Sequence, residues 1–339
     1  MFLSNTFMFI FVVPLVVVVC YPKSKESRSG GNIIFDTNGE TDDILAILVA
    51  LRNNVVYGGP DIAAITSVAG RITAKQAAIN VLRSLQAINR TDIPVYLGAE
   101  EPLVPYAPDV TPSIFGSDGF GGVPYSSAGL PAPQKKLAAK ALVEIVDQLK
   151  GEAIVFALGP TTNIAIAQKI DKDFITKCKA IIIAGGSISG RGDVSPSTEF
   201  NAYFDPYALR VILSKSSYKN VFLFPLELAY ASTITAQSWK CVVSMRPCNL
   251  ALLDESFNKF AQSGYKSGTF LSPLAVAAFL NQDIITATFA ARVSVSLSED
   301  TRGVLLVDYE SQELTTSNVN ITSNVDYTKY LNYYTSLYS

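Results

Sequence analysis

Short apolar segments alternate with amphipathic segments along most of the chain after residue 31. The apolar segments are nearly continuous, which is typical of strands buried on both faces of a parallel sheet. Between them, apolar residues recur three and four positions apart, which is typical of helices. This alternation predicts an α/β fold with a mostly parallel, Rossmann-like open central sheet flanked by helices. The predicted strands are 32–35, 62–68, 93–97, 153–158, 180–184 and 221–224.

Three helices stand out in this pattern. Helical spacing of apolar residues follows the first strand between Ile44 and Leu51, and follows the second between Ala77 and Leu85. Near the end of the chain, Tyr327, Tyr330 and Tyr334 predict an amphipathic helix that docks on the core.

A single domain preceded by a targeting segment is the predicted organisation. Residues 101–133 are rich in Pro, Gly and Ser and predict a long loop, but no linker or repeat divides residues 32–339. The apolar run from Phe7 to Tyr21 is shorter than the about 20 residues of a membrane span. It predicts a signal peptide over residues 1–21, followed by a linker over residues 22–31, with a retained membrane anchor as the alternative.

Composition excludes several classes of protein. The 339 residues carry a net charge of −2, so a nucleic-acid partner is not expected. The chain has no histidine, which excludes a Ser-His-Asp triad and an HExxH zinc site. The four cysteines lack zinc-site spacing, and Cys241 and Cys248 either pair or are ordinary thiols. On a secreted chain, the sequons that begin at Asn89 and Asn320 would be usable for glycosylation.

An acidic loop from Phe35 to Asp43 follows the first predicted strand. Gly39 permits a tight turn there, and Thr41 is expected to cap a helix that starts at Asp42. The loop's carboxylates lie where open α/β sheets bind ligands, and oxygen-rich clusters of this kind suit Ca²⁺. The alternative is that the acidic residues only complement the helix N-terminus.

Five segments of the chain, taken together, resemble the inosine-uridine-preferring nucleoside hydrolases. The first loop is similar to that family's D-x-D-x-G-x-D-D motif, and later segments are similar to its G-P-L-T-N-I-A, E-F-N and T-R-G motifs. The blocks run in family order, at residues 36–43, 114–122, 158–165, 185–206 and 301–308. The resemblance implies hydrolysis of the N-glycosidic bond of ribonucleosides. It also implies a bound Ca²⁺ that orients a water molecule, and a carboxylate of the first loop that takes the water's proton.

Carried over position by position, the resemblance implies a calcium site, a sugar site and several lost histidines. Asp36 matches the first aspartate of the loop motif. The calcium ligands fall at Asn38, Asp43, the Leu158 carbonyl and Ser272. The sugar-contacting positions fall at Asp42, Arg71, Asp193, Glu199 and Asn201. The family's histidines fall at Phe115, Tyr230 and Leu271.

Several of these positions depart from the family's chemistry. Asn38 stands where the family has its presumed catalytic base, and an amide does not accept a proton at neutral pH. Ser272 replaces a charged calcium ligand by a hydroxyl, so Ca²⁺ binding is expected to be weakened or lost. Catalysis would then need another base, Asp36 or Glu40. Arg71 either adds positive charge where calcium should sit or pairs with Asp193.

Three functions remain open at this point. The first is a nucleoside hydrolase that releases base and ribose, with its catalysis in doubt at Asn38. The second is an inactive relative that binds a nucleoside or a ribose-like small molecule. The third is an adhesion protein, suggested by the triplet Arg191-Gly192-Asp193. The family resemblance also implies a homo-oligomer. Aromatic side chains either stack on a nucleobase or pack on the core, and the candidates are Phe115, Phe120, Tyr125 and Tyr230.

Overall fold

A mixed sheet of nine strands forms the centre of the computed structural model, which describes residues 32–105, 113–125, 129–232, 270–310 and 317–338. The strand order is β3-β2-β1-β4-β5-β6-β9-β7-β8. The first seven strands in this order, which end with β9, run parallel to one another. The β7 strand is antiparallel to both of its neighbours, β9 and β8. The strands are β1 Ile33–Thr37, β2 Ile62–Ser67, β3 Val95–Tyr96, β4 Ile154–Ala157, β5 Ala180–Ala184, β6 Val221–Phe224, β7 Ile285–Val295, β8 Leu305–Asp308 and β9 Val319–Val325.

The predicted α/β fold with a mostly parallel sheet is confirmed, and each of the six predicted strands is present. The first strand continues to Thr37, two residues past the predicted last residue, Phe35. The pattern missed β7, β8 and β9. In β7 the buried residues alternate with exposed ones because one face is open to solvent, so no continuous apolar run marks it.

Helices cover both faces of the sheet. Alternate residues of β1 point into different clusters, with Ile33 and Phe35 in one and Ile34 in the other. The predicted helices after β1 and β2 are confirmed as α1 and α2. Two short 3₁₀ turns, Gln282–Ile284 and Glu299–Thr301, flank β7. The helices are α1 Thr41–Tyr57, α2 Ala74–Ala87, α3 Ala138–Gln148, α4 Thr162–Ile170, α5 Phe174–Lys177, α6 Phe200–Phe204, α7 Pro206–Leu213, α8 Glu227–Tyr230, α9 Leu271–Leu280 and α10 Tyr327–Tyr338.

The C-terminal helix α10 docks as predicted. Tyr330 and Tyr334 are fully buried in the cluster that also holds α1 and α9. Arg52 of α1 donates to the backbone carbonyl of Leu337, 2.7 Å away. The aromatic spacing therefore identified a helix that completes the core.

Two predictions concern parts of the chain outside the described residues: the signal peptide with its linker, and the pairing of Cys241 with Cys248. The described thiol of Cys178 is buried and free, and burial raises its pKa to about 12. The described parts of the predicted loop 101–133 contain neither helix nor strand. No helix within the described ranges is both long and apolar enough to cross a membrane.

Candidate active site

A cavity of about 150 Å³ opens where the carboxyl ends of β1, β2, β4 and β5 meet. In a parallel sheet these ends lie at one edge, and the loops that leave them form the cavity wall. Of the thirteen predicted site residues, Asp36 alone does not line it. The other twelve do: Asn38, Asp42, Asp43, Arg71, Phe115, Leu158, Asp193, Glu199, Asn201, Tyr230, Leu271 and Ser272.

Asp36 lies behind the cavity wall and holds neighbouring strands together. Its Oδ1 accepts hydrogen bonds from the Thr66 hydroxyl at 2.5 Å and from the Asn163 amide at 2.8 Å. Complete burial raises its pKa to about 7, against the lowering effect of these two donors. Asp36 is therefore placed to support the loops rather than to meet a ligand.

The turn after β1 depends on Gly39. This residue has φ +66°, and a Cβ atom there would lie 2.5 Å from the Cα of Ala77. The turn makes Glu40 the N-cap residue of α1, which begins at Thr41. The prediction that Thr41 caps this helix is wrong, because its hydroxyl instead donates to the Gly119 carbonyl at 3.2 Å.

Glu40, which the sequence offered only as an alternative base, lines the cavity. It is 5% exposed, and its Oε2 accepts a hydrogen bond from the Asn38 amide at 3.3 Å. Burial raises the pKa of Glu40, and the Arg71 charge and the Asn38 donor partly oppose that rise. The sequence carries a signal for this position, because Glu40 stands at the fifth position of the loop motif, where the family pattern has glycine.

Arg71 and Asp193 form the ion pair that the sequence suggested. Nη2 of Arg71 lies 3.2 Å from Oδ2 of Asp193, and Nη1 lies 3.9 Å from Oε2 of Glu40. The guanidinium carbon lies 3.9 Å from the centre of the Phe200 ring, in a cation–π contact. Burial alone would lower the pKa of Arg71, but the charges of Glu40, Asp193 and Glu199 raise it. The guanidinium is thus a fixed positive charge in the cavity.

Glu199 is held at the N-terminus of α6 by backbone donors. Its Oε2 accepts from the Gly186 amide at 2.6 Å, and its Oε1 accepts from the Asn201 amide at 2.9 Å. A Cβ atom at Gly185 would lie 2.8 Å from Oε2, so glycine allows this close approach. Burial raises the pKa of Glu199 to about 7, with a further contribution from the charge of Asp193.

Asp43 has hydroxyl partners on both carboxylate oxygens. Thr37 donates to Oδ2 at 2.5 Å, and Ser272 donates to Oδ1 at 2.7 Å. Burial raises the pKa of Asp43 to about 6, and these hydroxyls limit the rise. Asp42, beside it, has a pKa well above its ordinary value because of burial and the neighbouring charge of Asp43.

The residues at the predicted calcium positions do not fit a calcium site. Asp43 is the single carboxylate among the four, whereas Ca²⁺ takes six to eight oxygens and its affinity follows the ligand charge. The Leu158 carbonyl accepts the Asn201 side-chain amide at 2.8 Å, and the Ser272 hydroxyl donates to Asp43. Within the described ranges, no three Asp, Glu, His or Cys side chains are grouped to hold a metal ion.

Aromatic residues enclose part of the cavity. Phe115 is buried and packs against Phe270, with ring centres 5.7 Å apart. The Tyr230 hydroxyl donates to the Gly192 carbonyl at 2.9 Å. The other two stacking candidates, Phe120 and Tyr125, are not among the lining residues, since both lie against the Arg83 guanidinium instead.

The Arg191-Gly192-Asp193 triplet belongs to the cavity wall. Asp193 is paired with Arg71, and the Arg191 guanidinium lies 4.1 Å from the centre of the Tyr230 ring. The Gly192 amide donates to the Pro196 carbonyl at 3.0 Å. Its aspartate is therefore engaged inside the protein and is not presented as an adhesion motif.

An open, mostly parallel sheet with an acidic cavity at the carboxyl ends of its strands is the arrangement in which α/β proteins bind small molecules. Residues 33–332 match the model of the inosine-uridine preferring nucleoside hydrolase family. The chain belongs to this family.

Relatives of known class agree with this assignment. A probable uridine nucleosidase 1 of Oryza sativa subsp. japonica is 36% identical over 198 residues, 57% of this chain and 58% of that protein. The chain thus matches little more than half the length of this relative. The pyrimidine-specific ribonucleoside hydrolase RihA of Escherichia coli O1:K1 is 29% identical over 301 residues, 87% of this chain and 93% of that protein.

Solved structures share the fold. The purine-preferring ribonucleoside hydrolase from Gardnerella vaginalis superposes with a TM-score of 0.80 at 22% identity, covering 90% of this chain and 97% of that one. An inosine-guanosine nucleoside hydrolase superposes with a TM-score of 0.79 at 25% identity, covering 91% and 98%.

Proposed function

We propose that the cavity binds a ribonucleoside through its ribose, and that the chain hydrolyses the N-glycosidic bond to release base and ribose. The observation that carries this proposal is the convergence of Glu40, Asp42 and Glu199 on one cavity. Positive charge develops on the sugar as the glycosidic bond breaks. Carboxylates fixed around the sugar stabilise that charge, and they also accept hydrogen bonds from ribose hydroxyls.

Glu40 is the group we propose as the base. In the reaction, water adds to the anomeric carbon and gives a proton to the base, while the nucleobase leaves with the electrons of the broken bond. Asn38 does not accept this proton, and Asp36 does not reach the cavity. Glu40 lines the cavity beside Asn38, whose amide donates to it at 3.3 Å. The residue at the family's base position thus orients a different carboxylate.

A second candidate function is nucleoside binding without hydrolysis. It is favoured by the amide at position 38, which removes the family's presumed base, and by the Arg71–Asp193 ion pair, which occupies two sugar-contacting positions. We also propose, on the N-terminal apolar run, that the chain enters the secretory pathway as a secreted or membrane-anchored protein. A homo-oligomer is proposed on family resemblance.

Calorimetric binding and ribose release by the full chain, with inosine, uridine and guanosine, test the proposed function. The proposal expects binding and release, and expects Glu40→Gln to keep binding while release falls by about 10²- to 10⁴-fold. Glu144→Gln, which changes an exposed carboxylate on α3, is the matched control and should leave both unchanged. Binding without release would establish the second candidate function, and absence of binding would contradict both.

A further inference from the structure

We infer that Arg71 is the resident cation of this cavity, and that the chain binds its ribonucleoside without a divalent metal. This inference rests on the proposed function and extends it to the source of positive charge.

Charge is the first part of the argument. Among the described residues that line the cavity, five are carboxylates and Arg71 is the single cation. It pairs with Asp193 at 3.2 Å and lies 3.9 Å from Glu40, and its charge also acts on Asp42 and Glu199. A guanidinium stays protonated at any physiological pH, so this compensation is permanent. The five carboxylates are Glu40, Asp42, Asp43, Asp193 and Glu199.

The guanidinium is held in place before any ligand arrives. One face lies on the Phe200 ring, and Nη2 is tied to Asp193. The backbone amide of Asp193 donates to the Thr198 carbonyl at 3.2 Å. This hydrogen bond fixes the loop that carries the Asp193 carboxylate. The Arg71 side chain is 15% exposed. A preorganised cation of this kind needs little rearrangement to meet a substrate.

A donor of this side chain remains available. Nη1 of Arg71 lies 3.9 Å from Oε2 of Glu40, beyond hydrogen-bond distance, and has no hydrogen-bond partner within the described parts of the chain. Nε is buried out of reach of a ligand, so Nη1 is the donor that an oxygen of the ribose or the base would meet. Arg71 can thus contribute both charge and a directed hydrogen bond to ribonucleoside binding.

At the position expected to hold calcium, neutral hydroxyl groups already donate hydrogen bonds to the carboxylate of Asp43. Thr37 and Ser272 hydroxyls donate to the two oxygens of Asp43, at 2.5 and 2.7 Å. Ser272 is the residue that stands where the family has a charged ligand. The same substitution that removes a metal ligand therefore supplies a hydrogen-bond donor to the remaining carboxylate.

Calorimetry on the full chain tests the inference, with inosine and uridine titrated in EDTA and again in Ca²⁺, and with Ca²⁺ titrated alone. We expect equal nucleoside affinity in both buffers and no heat from Ca²⁺ alone. Arg71→Met should weaken nucleoside binding by about 10- to 100-fold in either buffer, as expected for a lost charge-assisted hydrogen bond. Arg71→Lys should recover part of the affinity.

Arg210→Met removes an exposed arginine of α7 and is the matched control, expected to bind as the unmodified chain does. Thermal unfolding of each variant, with and without Ca²⁺, distinguishes a loss of binding from a loss of folding. A folded Arg71→Met variant with unchanged nucleoside affinity would overturn the inference. Binding that disappears in EDTA and returns with Ca²⁺ would overturn it while leaving the proposed function intact. No nucleoside binding in either buffer would overturn both.

Discussion

Asn38 differs from aspartate by one atom, and this difference decides which neighbour can work beside it. An aspartate here would place a second negative charge against Glu40, whereas the amide donates to Glu40 at 3.3 Å. Arg71 then supplies a positive charge near the same oxygen of Glu40, Oε2, at 3.9 Å. Asn38, Glu40 and Arg71, three departures from the family pattern, therefore form one connected set.

Asp36 gives the clearest pH prediction at the residue scale. Its pKa is raised to about 7, so the folded protein holds this proton more tightly than the unfolded chain does. Stability from that proton is complete below the ordinary pKa of 3.8 and is lost as pH rises through about 7. Asp36→Asn keeps an oxygen for Thr66 and Asn163 but cannot ionise.

We therefore expect Asp36→Asn to lose less stability than the unmodified chain between pH 5 and pH 8, by about 2–3 kcal/mol. Urea unfolding across this range measures the difference. The exposed Asp283→Asn serves as the control and should follow the unmodified chain. Parallel pH profiles for the Asp36→Asn variant and the unmodified chain would contradict the prediction.

The order of motifs along the chain located most of the site residues, but it did not determine which of their side chains are in contact. The family resemblance located twelve lining residues, and eight of them lie in the ordered motifs. The motifs gave Glu40 no site role, because this residue replaces the motif's glycine, and the sequence offered it only as an alternative base. The Arg71–Asp193 contact joins residues 122 positions apart, so the sequence allowed the pair without selecting it over the alternative.

At the scale of elements, the seam between α1 and α10 ties the two ends of the domain together. Asn53 of α1 donates to the Tyr333 hydroxyl at 2.7 Å, and both residues are buried. Nearby, the Tyr57 hydroxyl donates to Ser336 at 2.6 Å, but Tyr57 is 55% exposed. The same pair of helices thus carries one buried and one exposed tyrosine hydroxyl.

Tyr333→Phe should destabilise the fold by about 1–3 kcal/mol, because it leaves the buried Asn53 amide without its acceptor. Tyr57→Phe should change stability by less than about 0.5 kcal/mol, because water replaces the lost contact. Urea unfolding followed by far-UV circular dichroism compares the two variants. Equal destabilisation would mean that the seam is solvated throughout.

Strands buried on both faces were predictable, and strands with an exposed face were not. The strands from β1 to β6 read as continuous apolar runs, since helices cover both of their faces. The β7 strand is eleven residues long yet has only three buried residues, so its composition resembles that of a surface segment. Its pairing partner β9 contains two Asn residues and one Thr residue, so it also lacks a continuous apolar run.

At the scale of the whole molecule, the two sequons lie in opposite surroundings. Asn89 is exposed, with φ +59°, in the turn after α2, and Thr91 is exposed as well. Asn320 lies within β9, with Phe222 and Ala290 opposite it in the two neighbouring strands, and Thr322 is 2% exposed. A glycan fits the first position and is incompatible with the sheet at the second.

If the chain enters the secretory pathway, it should carry one N-linked glycan, at Asn89. Expression of the full chain in a eukaryotic host, followed by treatment with an N-glycosidase, should shift its electrophoretic mobility by one step. Thr91→Ala should abolish the shift, and Thr322→Val should leave it unchanged. An unshifted parent chain would contradict entry into the pathway, and a shift lost in Thr322→Val would contradict the position of Asn320.

The close approach of Gly39 to Ala77 couples a helix that never meets a ligand to the carboxylate proposed as the base. Because the loop backbone rests directly on the Cα atom of Ala77, α2 and the turn cannot shift independently. A larger side chain at position 77, completely buried, would be transmitted as a displacement of Glu40. Selection on the proposed reaction would therefore act on the size of a core residue as well as on the acidic side chains of the cavity.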